Sequence, residues 1–207
     1  MVNVDINNVD FQDKNNIYLV NIGISNRHLH LSQEHLEQLF GKNYQLTATK
    51  DLTQPGQFAC NETVNIVGPK GIIEKVRILG PVRSETQVEL AQTDARKLGI
   101  AAPLRNSGDL AGTPGCVLVG PLGYAILEYG VIIANTHVHL HTSQGEALGI
   151  KDKELVDIYI KGKKKVAFFD VMARVHPEFA ADLHLDTDEA NAAQVENGQM
   201  ALIVKKG

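Results

Sequence analysis

A mainly β fold, two tandem pseudo-symmetric β-barrels capped by short α-helices, is what this 207-residue chain predicts. Three observations lead there. Short alternating apolar runs recur between turn signals such as Gly68-Pro69 and Gly80-Pro81, a pattern of small barrels. The helical stretches are about two turns long, enough to cap a barrel end but not to flank a parallel sheet. One segment also occurs twice: Ile24-Ser25-Asn26-Arg27-His28-Leu29-His30-Leu31 matches Ile133-Ala134-Asn135-Thr136-His137-Val138-His139-Leu140 residue for residue in spacing. A duplication within one chain is the economical explanation.

The elements follow in order. Residues 1–16 are rich in Asn and Asp with scattered Val and Ile, too irregular for an amphipathic helix, and read as a flexible leader. Ile22-Gly23-Ile24 ends a first strand and leads into His28-Leu29-His30. Ser32 then caps a helix that closes at Gly41. Thr86-Gln87-Val88-Glu89-Leu90 alternates as a strand should, and Thr93 to Leu98 is a short helix stopped by Gly99. Val131-Ile132-Ile133 leads into His137-Val138-His139; Ser143 is the expected N-cap of the next helix, with Glu146 completing a capping box and Gly149 closing it. Leu155 to Ile160, Asp182 to Asp186 and Ala201 to Val204 complete the strands, with a helix from Thr187 to Asn191. The repeat places residues 17–26 and 135–207 in a discontinuous first barrel and residues 27–134 in a second. The active site is expected at their junction, where duplicated half-sites can meet.

Composition narrows the function. Hydrophobic residues make up 43% and charged residues 21%, ordinary for a soluble globular protein, and the net charge of −4 argues against a nucleic-acid surface. No apolar run is long enough to span a bilayer, so no membrane association is expected. Residues 1–16 lack the basic start and apolar core of a signal peptide, which favours a cytoplasmic location. Cys60 and Cys116 form no Cys-x-x-Cys pattern and read as buried thiols.

The two His-x-His pairs carry the chemistry. On a strand, residues i and i+2 share a face, so each pair presents two imidazoles side by side, half a shell for a transition metal. A lone histidine such as His35 or His176 reads as an ordinary packed or surface residue, but a duplicated strand-borne pair has little packing rationale. Additional donors are available in Glu89, on an alternating strand, and in His184, between Asp182 and Asp186. His28, His30 and Glu89 then hold one metal and His137, His139 and His184 another. Three protein ligands per ion leave a position open for substrate, as in catalytic rather than structural sites. Arg27, Arg77 and Arg83 cluster by sequence around these motifs, and guanidinium groups suit a phosphate oxyanion.

Together these motifs resemble the PduL-type phosphate acyltransferases, or phosphate propanoyltransferases. The resemblance runs over residues 17–207. It is carried by Ser25-Asn26-Arg27-His28-Leu29-His30-Leu31, Gln54-Pro55-Gly56-Gln57-Phe58-Ala59, Leu79-Gly80-Pro81-Val82-Arg83, Thr86-Gln87-Val88-Glu89, Ser107-Gly108-Asp109-Leu110, His137-Val138-His139 and Asp186-Thr187-Asp188-Glu189-Ala190-Asn191. It implies a reversible reaction, acyl-CoA (propanoyl-CoA or acetyl-CoA) plus phosphate giving acyl phosphate plus CoA. It also implies two zinc ions, held by the two triads just named. Arg83 becomes the catalytic, phosphate-binding arginine, with Ser107 beside it, and CoA falls to Ser25, Lys50, Arg77, Leu79, His184 and Asn191. The resemblance further brings propanediol degradation, a homo-oligomer, and partners in a bacterial microcompartment shell or among its enzymes. Encapsulated members carry an amphipathic targeting helix at the N-terminus, a pattern that residues 1–16 do not show. Direct metal-assisted attack of phosphate on the thioester is the expected mechanism, since no Ser-His-Asp or Cys-His arrangement stands out. Two other readings share the ligands: a dinuclear zinc hydrolase of thioesters or phosphoesters, and a non-catalytic metal-binding barrel.

Overall fold

The structure, a computed structural model, describes residues 17–206; the leader expected over residues 1–16 lies outside them. The fold is mainly β. Its first part runs β1 (Ile17–Ser25), β2 (His28–His30), α1 (Gln33–Phe40), β3 (Ala48–Asp51), β4 (Phe58–Val67), β5 (Ile72–Gly80), β6 (Gln87–Glu89) and α2 (Gln92–Leu98). There follow β7 (Leu104–Arg105), β8 (Cys116–Val119), β9 (Tyr124–Leu127), β10 (Val131–Ala134), β11 (His137–Leu140) and α3 (Thr142–Leu148). The chain ends with β12 (Leu155–Lys161), β13 (Lys165–Val175), β14 (Asp182–Asp186), α4 (Thr187–Ala193) and β15 (Met200–Lys205).

Two compact units result. One is Asn26–Asn135; the other joins the stretch ending at Ser25 to the stretch beginning at Thr136. In the discontinuous unit six strands close a barrel in the order β1-β14-β11-β13-β12-β15. Its inward positions follow the two-residue period: Val156, Ile158 and Ile160 of β12 are fully buried while Asp157 and Tyr159 face outward. Each such aliphatic side chain contributes about 1.5–3 kcal/mol relative to exposure. The continuous unit is a nine-stranded sheet, β7-β10-β6-β2-β5-β4-β8-β9 with β3 added beside β4, whose ladder does not close. Its own core gathers Leu29, Leu36, Leu39, Ile66, Ile78, Leu98 and Leu118.

The duplication is visible in the ladders. β2 runs parallel to β5 and antiparallel to β6; β11 runs parallel to β13 and antiparallel to β14. In each copy the strand just before the histidine pair belongs to the other unit: β1 pairs with β14, and β10 pairs with β6. The chain therefore passes from unit to unit at the same point of each repeat, Ser25-Asn26 and Asn135-Thr136.

The caps behave as expected at Ser32, whose hydroxyl accepts from the His35 N–H, and at Gly149, in the left-handed conformation. The start of α3 differs. His141, not Ser143, is the N-cap: its Nδ1 accepts from the Ser143 N–H at 3.2 Å, and Gln144 Oε1 accepts from the His141 N–H at 2.9 Å. An imidazole acceptor served as well as a hydroxyl, so the helix begins two residues earlier and the Glu146 side chain plays no part in the N-terminal cap. Glycine at 115 answers to a close approach, because a Cβ there would lie 1.8 Å from the Leu127 carbonyl oxygen across the β8–β9 hairpin.

Candidate active site

Register makes the first triad. On the β2–β6 ladder His28 stands opposite Glu89 and His30 opposite Gln87, so all four side chains share a face. The donor atoms of His28, His30 and Glu89 lie within 4.8 Å of one another. His28 Nδ1 donates to the Asn26 carbonyl at 2.8 Å and His30 Nδ1 to the Leu79 carbonyl at 3.2 Å. Carbonyls only accept, so both Nδ1 atoms carry a proton, and in the neutral ring it is Nε2 that presents the lone pair. His28 Nε2 is 3.5 Å from Glu89 Oε2.

The second triad repeats the geometry in the barrel. His137 stands opposite His184 on the β11–β14 ladder, the place Glu89 holds in the first copy, and His139 stands opposite Asp182. The donor atoms of His137, His139 and His184 again lie within 4.8 Å of one another, with ring centroids 4.8 Å apart for every pair. Gly23 pairs with His184 on the other side, and a Cβ there would come within 2.7 Å of Asp182 Oδ2. Asp182 Oδ2 is 3.3 Å from His184 Nε2 without the alignment of a hydrogen bond.

These two groups fit a borderline-soft divalent cation. Burial, then the Arg83 charge and a charged His28, hold His30 down to about 3; burial, then His184 and His137, hold His139 down to about 2, so both rings are neutral ligands at neutral pH. Burial opposes ionisation of Glu89, but His28 outweighs it and keeps the carboxylate well below its usual range. Burial likewise disfavours charge on His28, and Glu89 outweighs it in turn, raising that imidazole. His139 Nδ1 and His184 Nε2 are buried without a hydrogen-bond partner among the described residues, a cost that a bound cation would remove.

A guanidinium adjoins the first triad. β7 lies parallel to β10, which lies parallel to β6, so the loop after Arg105 arrives beside Glu89. There the Arg83 Nη1 donates to Ser107 Oγ at 3.2 Å, and Ser107 Oγ donates to Glu89 Oε1 at 3.4 Å. The Arg83 backbone is pinned by its N–H to the Leu31 carbonyl, one residue beyond His30. Arg83, Ser107 and the first triad are thus brought together. His35 is bound to Thr86 Oγ1 at 2.7 Å and His176 Nδ1 accepts from the Glu178 N–H, the ordinary roles expected of them.

The residues expected to hold CoA divide between the units. Lys50 on β3 and Leu79 on β5 both pair with Ala59, from opposite sides of β4. Arg77, opposite Thr63, is exposed and donates through Nη1 to the Cys60 and Asn61 carbonyls at 2.7 and 2.9 Å. In the barrel unit Ser25 pairs with Asp186 and His184 with Gly23, and Asn191 lies exposed on α4, which Asp186 caps. Glu189 of that cap also accepts from the Thr136 hydroxyl next to His137. Burial pushes Cys60 up to about 11 and Cys116 up to about 12, so neither thiol is a nucleophile.

A family model for phosphate propanoyltransferase matches residues 21–196, a span that contains every residue of both triads together with Arg83 and Ser107. The chain belongs to the phosphate propanoyltransferase family. A phosphate propanoyltransferase of Thermotoga maritima is 55% identical over 89% of this chain and 88% of its own length. One from Lachnoclostridium phytofermentans is 48% identical over 90% and 88%, and one from Listeria monocytogenes is 44% identical over 90% and 88%. Membership makes the chain an acyltransferase and supports phosphate acyltransferase activity. Among the described residues no helix is long and apolar enough to cross a membrane.

Sequence reasoning passed over one member of this site. The alternation over Thr86–Leu90 singles out Glu89 alone, yet Gln87 is 2% exposed and hydrogen-bonded to Glu89 and Ser107. The signal was present in the two-residue period, which puts Gln87 and Glu89 on one face; which face that was depended on the partner strand.

Proposed function

We propose that this chain transfers a propanoyl or acetyl group reversibly between CoA and inorganic phosphate by direct attack of phosphate on the thioester, with two zinc ions held by the histidine-rich triads. The observation that carries the reading is the Arg83–Ser107–Glu89 chain, which puts an anion-binding guanidinium against a group of metal-type donors in one unit.

Zinc bound to His28, His30 and Glu89, and to His137, His139 and His184, would supply Lewis-acid polarisation and orientation of the reacting oxygens. The protein supplies the rest. Arg83 binds and orients the phosphate dianion and offsets its charge, with Ser107 fixing the guanidinium. A phosphate oxygen forms the new bond to the acyl carbon, the C–S bond breaks, and the proton of the monohydrogen phosphate ends on the CoA sulfur. Ser25, Lys50, Arg77, Leu79, His184 and Asn191 hold CoA in this reading. Burial of the triad residues keeps His30 and His139 neutral, so that they remain donors throughout.

The test is release of free thiol from propanoyl-CoA by zinc-replete protein, with and without inorganic phosphate. Release that requires phosphate and yields propanoyl phosphate is expected. Release without phosphate would identify a hydrolase instead, and a stable, zinc-loaded protein that releases none would leave only the metal-binding barrel. The same assay with acetyl-CoA measures chain preference, for which one methylene is worth only about 1–3 kcal/mol.

A further inference from the structure

We propose that Gln87 is a positioning residue for this reaction. Its carboxamide grips Glu89 Oε1 and the Ser107 hydroxyl at once, and so sets both the ligand oxygen of the first triad and the place of Arg83. The inference rests on the function proposed above for the role of Arg83, and on the triad alone for the rest.

Gln87 sits two residues before Glu89 on β6, opposite His30, and is 2% exposed. Its amide orientation is determined by its partners. The Gly108 N–H can only donate, and it does so to Gln87 Oε1 at 2.7 Å. Gln87 Nε2 therefore faces the acceptors, Glu89 Oε1 at 2.5 Å and Ser107 Oγ at 2.8 Å. Both amide protons and the amide oxygen are used. Ser107 Oγ in turn accepts from Gln87 and Arg83 and gives its own proton to Glu89 Oε1.

Two consequences follow. Glu89 Oε1 is engaged by two donors, which leaves Oε2, the oxygen facing His28 Nε2, as the one offered to a cation. The Ser107 loop is tied to the same strand through the Gly108 N–H and the Ser107 hydroxyl, so the guanidinium that Ser107 accepts from is referenced to the metal donors. Most side-chain hydrogen bonds go to backbone or water; here two of the three partners are side chains of the site.

The experiment compares Gln87→Met, Gln87→Glu and Ser107→Ala with the full wild-type chain. Methionine keeps the length and removes all three bonds; glutamate keeps the acceptor for Gly108 and removes the donors, and it serves if the methionine variant fails to fold. Zinc affinity is read by competition with a chromogenic chelator, which needs no turnover, and KM is read separately for phosphate and acyl-CoA. Both Gln87 variants should weaken the first zinc about tenfold or more, raise the phosphate KM about tenfold and leave the acyl-CoA KM within twofold. Ser107→Ala, which leaves Glu89 its shorter bond from Gln87, should raise the phosphate KM with a smaller loss of zinc affinity than either Gln87 variant. Zinc affinity within twofold of wild type in the Gln87 variants, or an equal rise of both KM values, would overturn the proposal. Phosphate-independent turnover by wild type would instead overturn the function, while the zinc titration still decides the clamp.

Discussion

Replacing Glu89 by glutamine separates charge from shape at the first triad. In the wild type Glu89 Oε1 accepts from Gln87 and Ser107, and Oε2 faces His28 Nε2 at 3.5 Å. The glutamine oxygen can take over the first two bonds. Its amide can donate to His28 Nε2, whose lone pair is free because Nδ1 holds the proton toward Asn26. Every hydrogen bond can then survive, so at a pH high enough that His28 is neutral the metal-free variant should lose no more than about 1 kcal/mol of stability. The anionic ligand is gone, however. Removing one member of a buried charge pair costs about 3–5 kcal/mol, and at about 1.4 kcal/mol per decade that is a loss of roughly 10²-fold to several thousand-fold in affinity for the first zinc. Chelator competition on metal-free protein reloaded with graded zinc measures this directly, and urea unfolding of the metal-free form supplies the control. Two ions bound with wild-type affinity would remove Glu89 from the ligand set. A large loss of metal-free stability would show that the hydrogen bonds do not survive the change.

Three further outcomes are expected. Arg83→Lys should raise the phosphate KM about 30-fold, since a point charge replaces a fork aimed from Ser107, and should leave the acyl-CoA KM within threefold; equal rises in the two would remove the phosphate role. Metal-free protein should lose stability as pH falls from 6.5 to 5: His30 and His139 have lowered folded values, the unfolded chain binds the extra protons, and each contributes about 1.5–2 kcal/mol over that window. The raised His28 is already fully favourable below 6.5 and the lowered Glu89 loses its contribution only below 4.5, while Glu189, raised by burial, offsets part of the loss. Urea titrations at the two pH values check the sign, and a flat profile would mean that these rings are not held neutral. Gly115→Ala should cost about 3 kcal/mol or more in urea unfolding, because the added carbon meets backbone oxygen rather than a side chain that can turn away; a change under about 1 kcal/mol would show that the hairpin can part there.

Much of the site was legible in the chain because the relevant information is local. A two-residue period on a strand places His28 beside His30 and His137 beside His139 whatever surrounds them, and repetition of the segment makes chance an unlikely author. The helix ends at Gly41, Gly99 and Gly149 were readable for the same reason, since a C-terminal glycine is a property of a few neighbouring residues. Cap choice at α3 was less local: His141 and Ser143 can each accept from the helix N-terminus, and strand β11 ending at Leu140 decided between them.

What the sequence determined alone, then, is the β class, the duplicated imidazole pairs and the chemistry they favour. Tertiary structure decided which third donor meets each pair, because Glu89 and His184 reach their places through ladder register, a relation between strands that no local period encodes. It decided the tautomers, through the Asn26 and Leu79 carbonyls, and it turned Gln87 from one residue of an alternating run into the link between Glu89 and Ser107. It also decided closure: six strands complete a barrel around one core, while the sheet of the other unit ends at β7 and β9. The physical reason is common to all four. The Asn26 carbonyl apart, which lies two residues from His28, each depends on groups far apart in the chain, whose meeting is set by packing and pairing over the whole unit rather than by the preferences of any one segment.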